Sequence, residues 1–151
     1  MPNEPAQSPA AVTRAFLAAL RAEDVDLVMT LMDDEVVYAN KGLPRLKGRR
    51  AAERVFRQLE HSAIGFDTYI HSISTDGCTV HTERTDIHRF GPLFIQFWIC
   101  GRYDVREGKL ILIREYFDFV DILRATVRGA ITIALPRLAV SPPGPDTAPG
   151  R

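Results

Sequence analysis

The sequence predicts an α+β domain in which a strongly curved β-sheet wraps onto a layer of helices, and three observations support this. Apolar residues recur at helical spacing through the first third of the chain and again after Phe117, with extended alternation in between. Turn signals at Asp76-Gly77, Gly91-Pro92 and Glu107-Gly108 cut the extended stretch into four hairpin-linked strands. With 151 residues, 46% of them apolar, the chain can bury one substantial core. A single domain over residues 8–140 is therefore expected, between disordered segments at 1–7 and, where proline and glycine dominate, 141–151. A sheet curved in this way encloses a pocket.

The elements follow in order. Ser8-Pro9 is a helix start, a capping hydroxyl followed by proline at the first helical position, and Val12, Phe16, Leu17 and Leu20 continue it at helical spacing. Asp24 caps a shorter helix with the apolar face Leu27, Val28, Leu31 and Met32. Asp34 to Asn40 is rich in β-formers and puts Val36, Tyr38 and Asn40 on one face. A third helix is expected over 49–60, with Ala52, Val55, Phe56 and Leu59 as its buried stripe. The four strands run 66–74, 78–90, 93–105 and 110–117. The third is apolar on both faces at first and should be central, covered on both sides. The last aligns Ile111, Ile113, Glu115 and Phe117. Asp118 reads as the cap of a final helix, with Asp121 as a favourable first-turn charge. The wide apolar face of that helix (Phe119, Ile122, Leu123, Val127, Ile131, Leu135) has three fates: covering the open end of the sheet, packing on a second subunit, or touching a membrane. The first two are favoured.

The second strand carries T-E-R-T-D at Thr82–Asp86. Alternation projects Arg84 and Asp86 from the face that also bears Cys78, Val80 and Thr82, so burying that face takes a guanidinium and a carboxyl inside. A chain that accepts this cost does so for a site or for a structural ion pair. Composition excludes other classes. Lys+Arg and Asp+Glu both number 19, and no dense basic run suggests a nucleic-acid platform. Cys78 and Cys100 match neither C-x-x-C nor a zinc pattern and are expected as buried thiols. The four histidines lack metal spacing, and no phosphate loop, nucleophile elbow or cofactor fingerprint occurs, so neither metal nor cofactor is expected. The N-terminus lacks a secretory pattern, which makes a cytoplasmic location the default.

V-V-Y-A-N, T-E-R-T-D, Q-F-W-I-C-G and G-K-L-I-L-I-R-E-Y-F-D, in that order, resemble the limonene epoxide hydrolase family within the cone-shaped nuclear transport factor-like superfold. The resemblance covers roughly residues 10–135. It implies a mixed sheet curved into a cone around a deep apolar pocket, a homodimer, and one-step hydrolysis of an epoxide without a covalent intermediate. Carried over by residue, it implies that Asp86 protonates the epoxide oxygen and Glu115 takes a proton from water. Arg84 would bridge the two acids, while Tyr38 and Asn40 position the water. Such a donor has to stay protonated, which an apolar surround favours against the pull of Arg84.

One position departs from the family pattern: this chain has I-R-E-Y-F-D where the family has W-R-D-Y-F-D. Glu115 moves the carboxyl by about 1.5 Å, and a misplacement near 1 Å can cost about 10²-fold, so altered activity and a degenerate site are both open. Leu17, Leu20, Phe97, Ile99, Phe117 and Ile122 are the expected apolar wall, suited to a terpene-like or lipid-derived epoxide. His88 is placed at the pocket mouth or in a surface contact. Two competing readings keep the fold: a proton-shuttling isomerase or cyclase, and a non-catalytic apolar-ligand or dimer module.

Overall fold

The computed structural model describes residues 7–143. The segments expected to be disordered lie outside that range, except for Gln7 and residues 141–143, which carry no helix or strand. Six strands form one curved mixed sheet, in the order β2-β1-β6-β5-β4-β3. They are β1 (Met32–Asn40), β2 (Leu46–Lys47), β3 (Ile64–Asp76), β4 (Thr79–Phe90), β5 (Leu93–Arg106) and β6 (Lys109–Tyr116). β1 and β6 pair in parallel and every other pair is antiparallel. The helices are α1 (Pro9–Arg21), α2 (Val25–Thr30), α3 (Arg49–Phe56) and α4 (Phe119–Ala134).

The predicted caps are in place. Ser8 Oγ accepts from Ala11 N, Asp24 Oδ1 from Leu27 N, and Asp118 Oδ1 from Val120 N, which satisfies amides that the first turns leave unpaired. Phe16 and Leu17 of α1, Val28 of α2, Ala52 of α3, and Val80, Tyr103 and Ile113 of the sheet form the main core. Burying such side chains contributes about 1.5–3 kcal/mol each for the larger ones.

Several local expectations are corrected. The β3–β4 turn is centred on Gly77-Cys78, because Asp76 pairs with Thr79; Cys78 therefore leaves the inward row and is exposed, and Cys100 is only half-buried. α2 is too short to carry the expected face: it buries Val25, Val28 and Met29, leaves Leu27 exposed, and yields Met32 to β1. The third helix tightens into a 3₁₀ turn at Arg57–Glu60, and Val55 is exposed. In β6 a bulge skips Ile111, since Val105 pairs with Leu110 and Asp104 with Leu112; Leu110 takes the buried place instead. β5 is central, but Phe94 and Trp98 on its outer face are exposed.

α4 lies across β5 and docks through Ile122 and two small residues, with most of its large apolar face turned away. Ala125 and Gly129 are its buried positions. A Cβ at Gly129 would come within 2.2 Å of the Phe94 carbonyl oxygen, so only glycine permits this approach. Leu123, Val127 and Ile131 stay exposed. Among the described residues, no helix is long and apolar enough to cross a membrane.

Candidate active site

The strand registers explain how distant residues meet. On the inner face, Thr82, Arg84 and Asp86 of β4 pair with Gly101, Ile99 and Phe97 of β5. Gly101 pairs in turn with Glu115 of β6, and Glu115 with Asn40 of β1. Arg84 and Glu115 thus stand two strands apart, with Gly101 between them. A Cβ at Gly101 would lie 2.6 Å from Arg84 Nη1 and 2.7 Å from the Tyr103 ring. Glycine there opens the space in which the guanidinium crosses β5.

Arg84, Asp86 and Glu115 are 2%, 2% and 5% exposed, so each charge depends on its partners. Arg84 Nε donates to Asp86 Oδ1 at 2.9 Å and Nη2 to Asp86 Oδ2 at 3.1 Å; Nη2 also donates to Glu115 Oε2 at 2.7 Å. Arg84 Nη1 donates to Thr82 Oγ1 at 3.1 Å and to the Tyr103 hydroxyl at 2.5 Å. The Tyr103 hydroxyl donates to Glu115 Oε1 at 3.0 Å, and Thr68 Oγ1 lies 2.7 Å from Asp86 Oδ1. One planar fork therefore holds both acids while its own donors are satisfied.

Burial alone would lower the Arg84 pKa, but the adjacent Asp86 and Glu115 carboxyls outweigh it and hold the guanidinium well above its ordinary value. Burial raises the Glu115 carboxyl above its ordinary value, with Arg84 opposing. Tyr38 is pushed up to about 12 by burial and by Glu115. Tyr103 is also raised well above the ordinary phenol value, by burial first, against the pull of Arg84. Both phenols stay neutral and able to donate.

The guanidinium and its two acids stand at the floor of a cavity of about 390 Å³, within the range that encloses a small organic molecule, while Tyr103 lies behind them. Arg84, Asp86, Glu115, Tyr38 and Asn40 all line it. Of the expected wall, Leu20, Phe97, Ile99, Phe117 and Ile122 line it, but Leu17 does not: one position along α1 from Phe16, it points into the main core, and Phe16 faces the cavity instead. Phe66 and Ile95, absent from the sequence-derived wall, line it as well. His88, expected at the pocket mouth or in a surface contact, lines the cavity, stacked on Phe97 at 5.5 Å between centroids and on the exposed Phe90 at 6.3 Å. Tyr103 and Thr68 are polar groups that sequence reading missed; a tyrosine on the inner face of a central strand reads as core. The one available signal was its parity with Gly101 and Ile99 on β5.

The family model for the limonene-1,2-epoxide hydrolase catalytic domain matches residues 7–128. The chain belongs to this family. It is 41% identical over 124 residues to the epoxide hydrolase EphG of Mycobacterium tuberculosis, an alignment spanning 82% of this chain and 83% of that protein. The solved structure of an M. tuberculosis LEH-like epoxide hydrolase superposes with a TM-score of 0.81 at 39% identity, covering 85% of this chain and 96% of that one. A protein of ketosteroid isomerase-like fold from Catenulispora acidiphila superposes with a TM-score of 0.69 at 14% identity, over 80% of this chain and 95% of that one. That likeness concerns the fold alone. In this family member, glutamate at position 115 is reached directly by the arginine fork and by the Tyr103 hydroxyl.

Proposed function

We propose that this chain hydrolyses an apolar, terpene-like or lipid-derived epoxide to a vicinal diol by direct attack of water, without cofactor. The observation that carries the reading is the buried guanidinium hydrogen-bonded at once to two carboxyls at the floor of an apolar cavity. Two carboxylates against one guanidinium would leave an uncompensated negative charge there, so the floor retains one proton. That is the state epoxide opening needs, an acid at the leaving oxygen and a base at the water.

Asp86 gives its proton to the epoxide oxygen as the C–O bond breaks. Glu115, whose ionised form is favoured by Arg84 and the Tyr103 hydroxyl against the effect of burial, takes a proton from the water whose oxygen bonds to the carbon. Tyr38 and Asn40, beside Glu115 across the β1–β6 pairing, orient that water. After turnover Asp86 is the anion and Glu115 holds the proton; returning it to Asp86 resets the site. Because Arg84 touches both acids, the charge passes between them without leaving its ion pair. The Thr68 hydroxyl can donate to Asp86 when it is ionised and accept from it when it is protonated. Tyr103 is a positioning residue that holds the longer Glu115 side chain against Arg84.

Diol formation from a panel of apolar epoxides tests the reading, with Asp86→Asn, Arg84→Ala and Glu115→Gln alongside. Wild-type turnover with a loss of about 10²-fold or more in each variant is expected; equal background rates in all four would remove the assignment. The proposal includes a cytoplasmic homodimer. Exposed Phe94, Trp98 and Tyr116 on the outer sheet face and the apolar ridge of α4 support self-association, which light scattering would measure.

A further inference from the structure

Above its floor, the cavity wall is apolar except at Gln58, on the 3₁₀ turn, and His88. His88 projects from the same face of β4 as Asp86, two residues further along, a separation of about 7 Å. Its cross-strand neighbours are Phe66 and Ile95. Its ring lies edge-on to Phe66 at 5.3 Å and parallel to Phe97 at 5.5 Å, so aromatic packing fixes its orientation. Among the described residues, no side chain or backbone group hydrogen-bonds to either ring nitrogen. Burial lowers its pKa, ahead of an opposing pull from Asp86, so the imidazole is neutral near pH 7, with one N–H donor and one acceptor.

An apolar ligand that displaces water from this cavity leaves the imidazole N–H without an acceptor, a penalty that an oxygen on the ligand removes. Sites built around a buried polar group discriminate strongly for ligands that satisfy it. We infer that His88 selects the substrate: an apolar epoxide that also carries one hydrogen-bonding oxygen, a hydroxyl or carbonyl, about 7 Å from the epoxide ring. This deepens the hydrolase reading and rests on it. His88 contacts the remote end of the substrate, and remote contacts orient the reacting end over Asp86 and Glu115.

The test uses matched epoxides that differ only in a ketone carbonyl in place of a methylene at that distance, together with the two corresponding diols. Turnover is measured on the epoxides and affinity on the diols by calorimetry, for wild type, His88→Leu and His88→Gln, with thermal melts to establish folding. Wild type is expected to favour the oxygenated member about 10-fold in both kcat/KM and diol affinity. His88→Leu brings both ratios close to one, and His88→Gln restores most of the preference. A wild-type ratio of one, or a ratio unchanged in His88→Leu, overturns the assignment. If neither epoxide is hydrolysed yet the diol preference exists and is lost in His88→Leu, the hydrolase reading fails and the role of His88 stands.

Discussion

Replacing Arg84 with methionine keeps most of the side-chain volume and removes five hydrogen bonds, three to carboxyl oxygens and two to the hydroxyls of Thr82 and Tyr103. The two acids stay buried with no cation between them. Breaking a buried ion pair by removing one partner costs about 3–5 kcal/mol. At about 2–4 °C per kcal/mol for a chain of this size, the melting temperature should fall by about 6–20 °C. The loss should also depend on pH. Burial already raises Glu115 above its ordinary value and Arg84 opposes that shift, so without the arginine Glu115 rises further. A carboxyl with a raised folded pKa stabilises the native state fully below its unfolded value of about 4.3, and that contribution is lost as pH rises through the folded value. Arg84→Met should therefore lie closest to wild type near pH 4 and fall progressively behind toward pH 8. Calorimetry across that range measures it. A melting temperature within about 2 °C of wild type at pH 8, or a deficit flat with pH, would refute the reasoning, because the guanidinium would not then be compensating buried carboxyls.

Other consequences follow from the same network. Tyr103→Phe removes the hydroxyl between Arg84 and Glu115; kcat should fall about 10-fold with a smaller change in KM, since the hydroxyl holds the base and not the substrate. Steady-state kinetics decides this, and a selective rise in KM would contradict it. Gly101→Ala puts a methyl group 2.6 Å from Arg84 Nη1, displacing the guanidinium. Activity should drop by about 10²-fold or more, with about 1–3 kcal/mol of destabilisation in denaturant melts; near-wild-type activity would show that the fork does not need this passage. Glu115→Gln removes a carboxyl that burial raises. The fall in wild-type stability from about pH 4.3 upward should be shallower in the variant, which urea titrations at several pH values would read.

Much of the architecture was legible because periodicity, caps and turns agreed with one another. Ser8, Asp24 and Asp118 cap the helices they were assigned, and alternation along β4 placed Thr82, Arg84 and Asp86 on one inner face. What sequence did not reveal depends on single-residue register and close approach. Gly77-Cys78 could not be told from Asp76-Gly77 as the turn centre, and that one step decides whether Cys78 faces inward or outward. The bulge at Ile111 exchanges its place with Leu110 for a similar reason. The long apolar face of α4 suggested burial by its large side chains, yet the close contact at Gly129 rotates Ala125 and Gly129 inward. Leu17 and Phe16 are adjacent on one helix, and only the crossing of α1 over the sheet determines which faces the cavity. The Gly101–Arg84–Tyr103 contact is a three-strand relation with no local pattern to announce it.

The central claim is that water, activated beside Glu115, attacks the epoxide directly while Asp86 protonates the leaving oxygen. A single turnover in ¹⁸O-enriched water, with enzyme in excess over epoxide, tests it most directly. The account predicts one ¹⁸O atom in the diol from the first turnover and none in the carboxyls of Asp86 or Glu115. An unlabelled diol, with the isotope found in either side chain by peptide mass spectrometry, would contradict it.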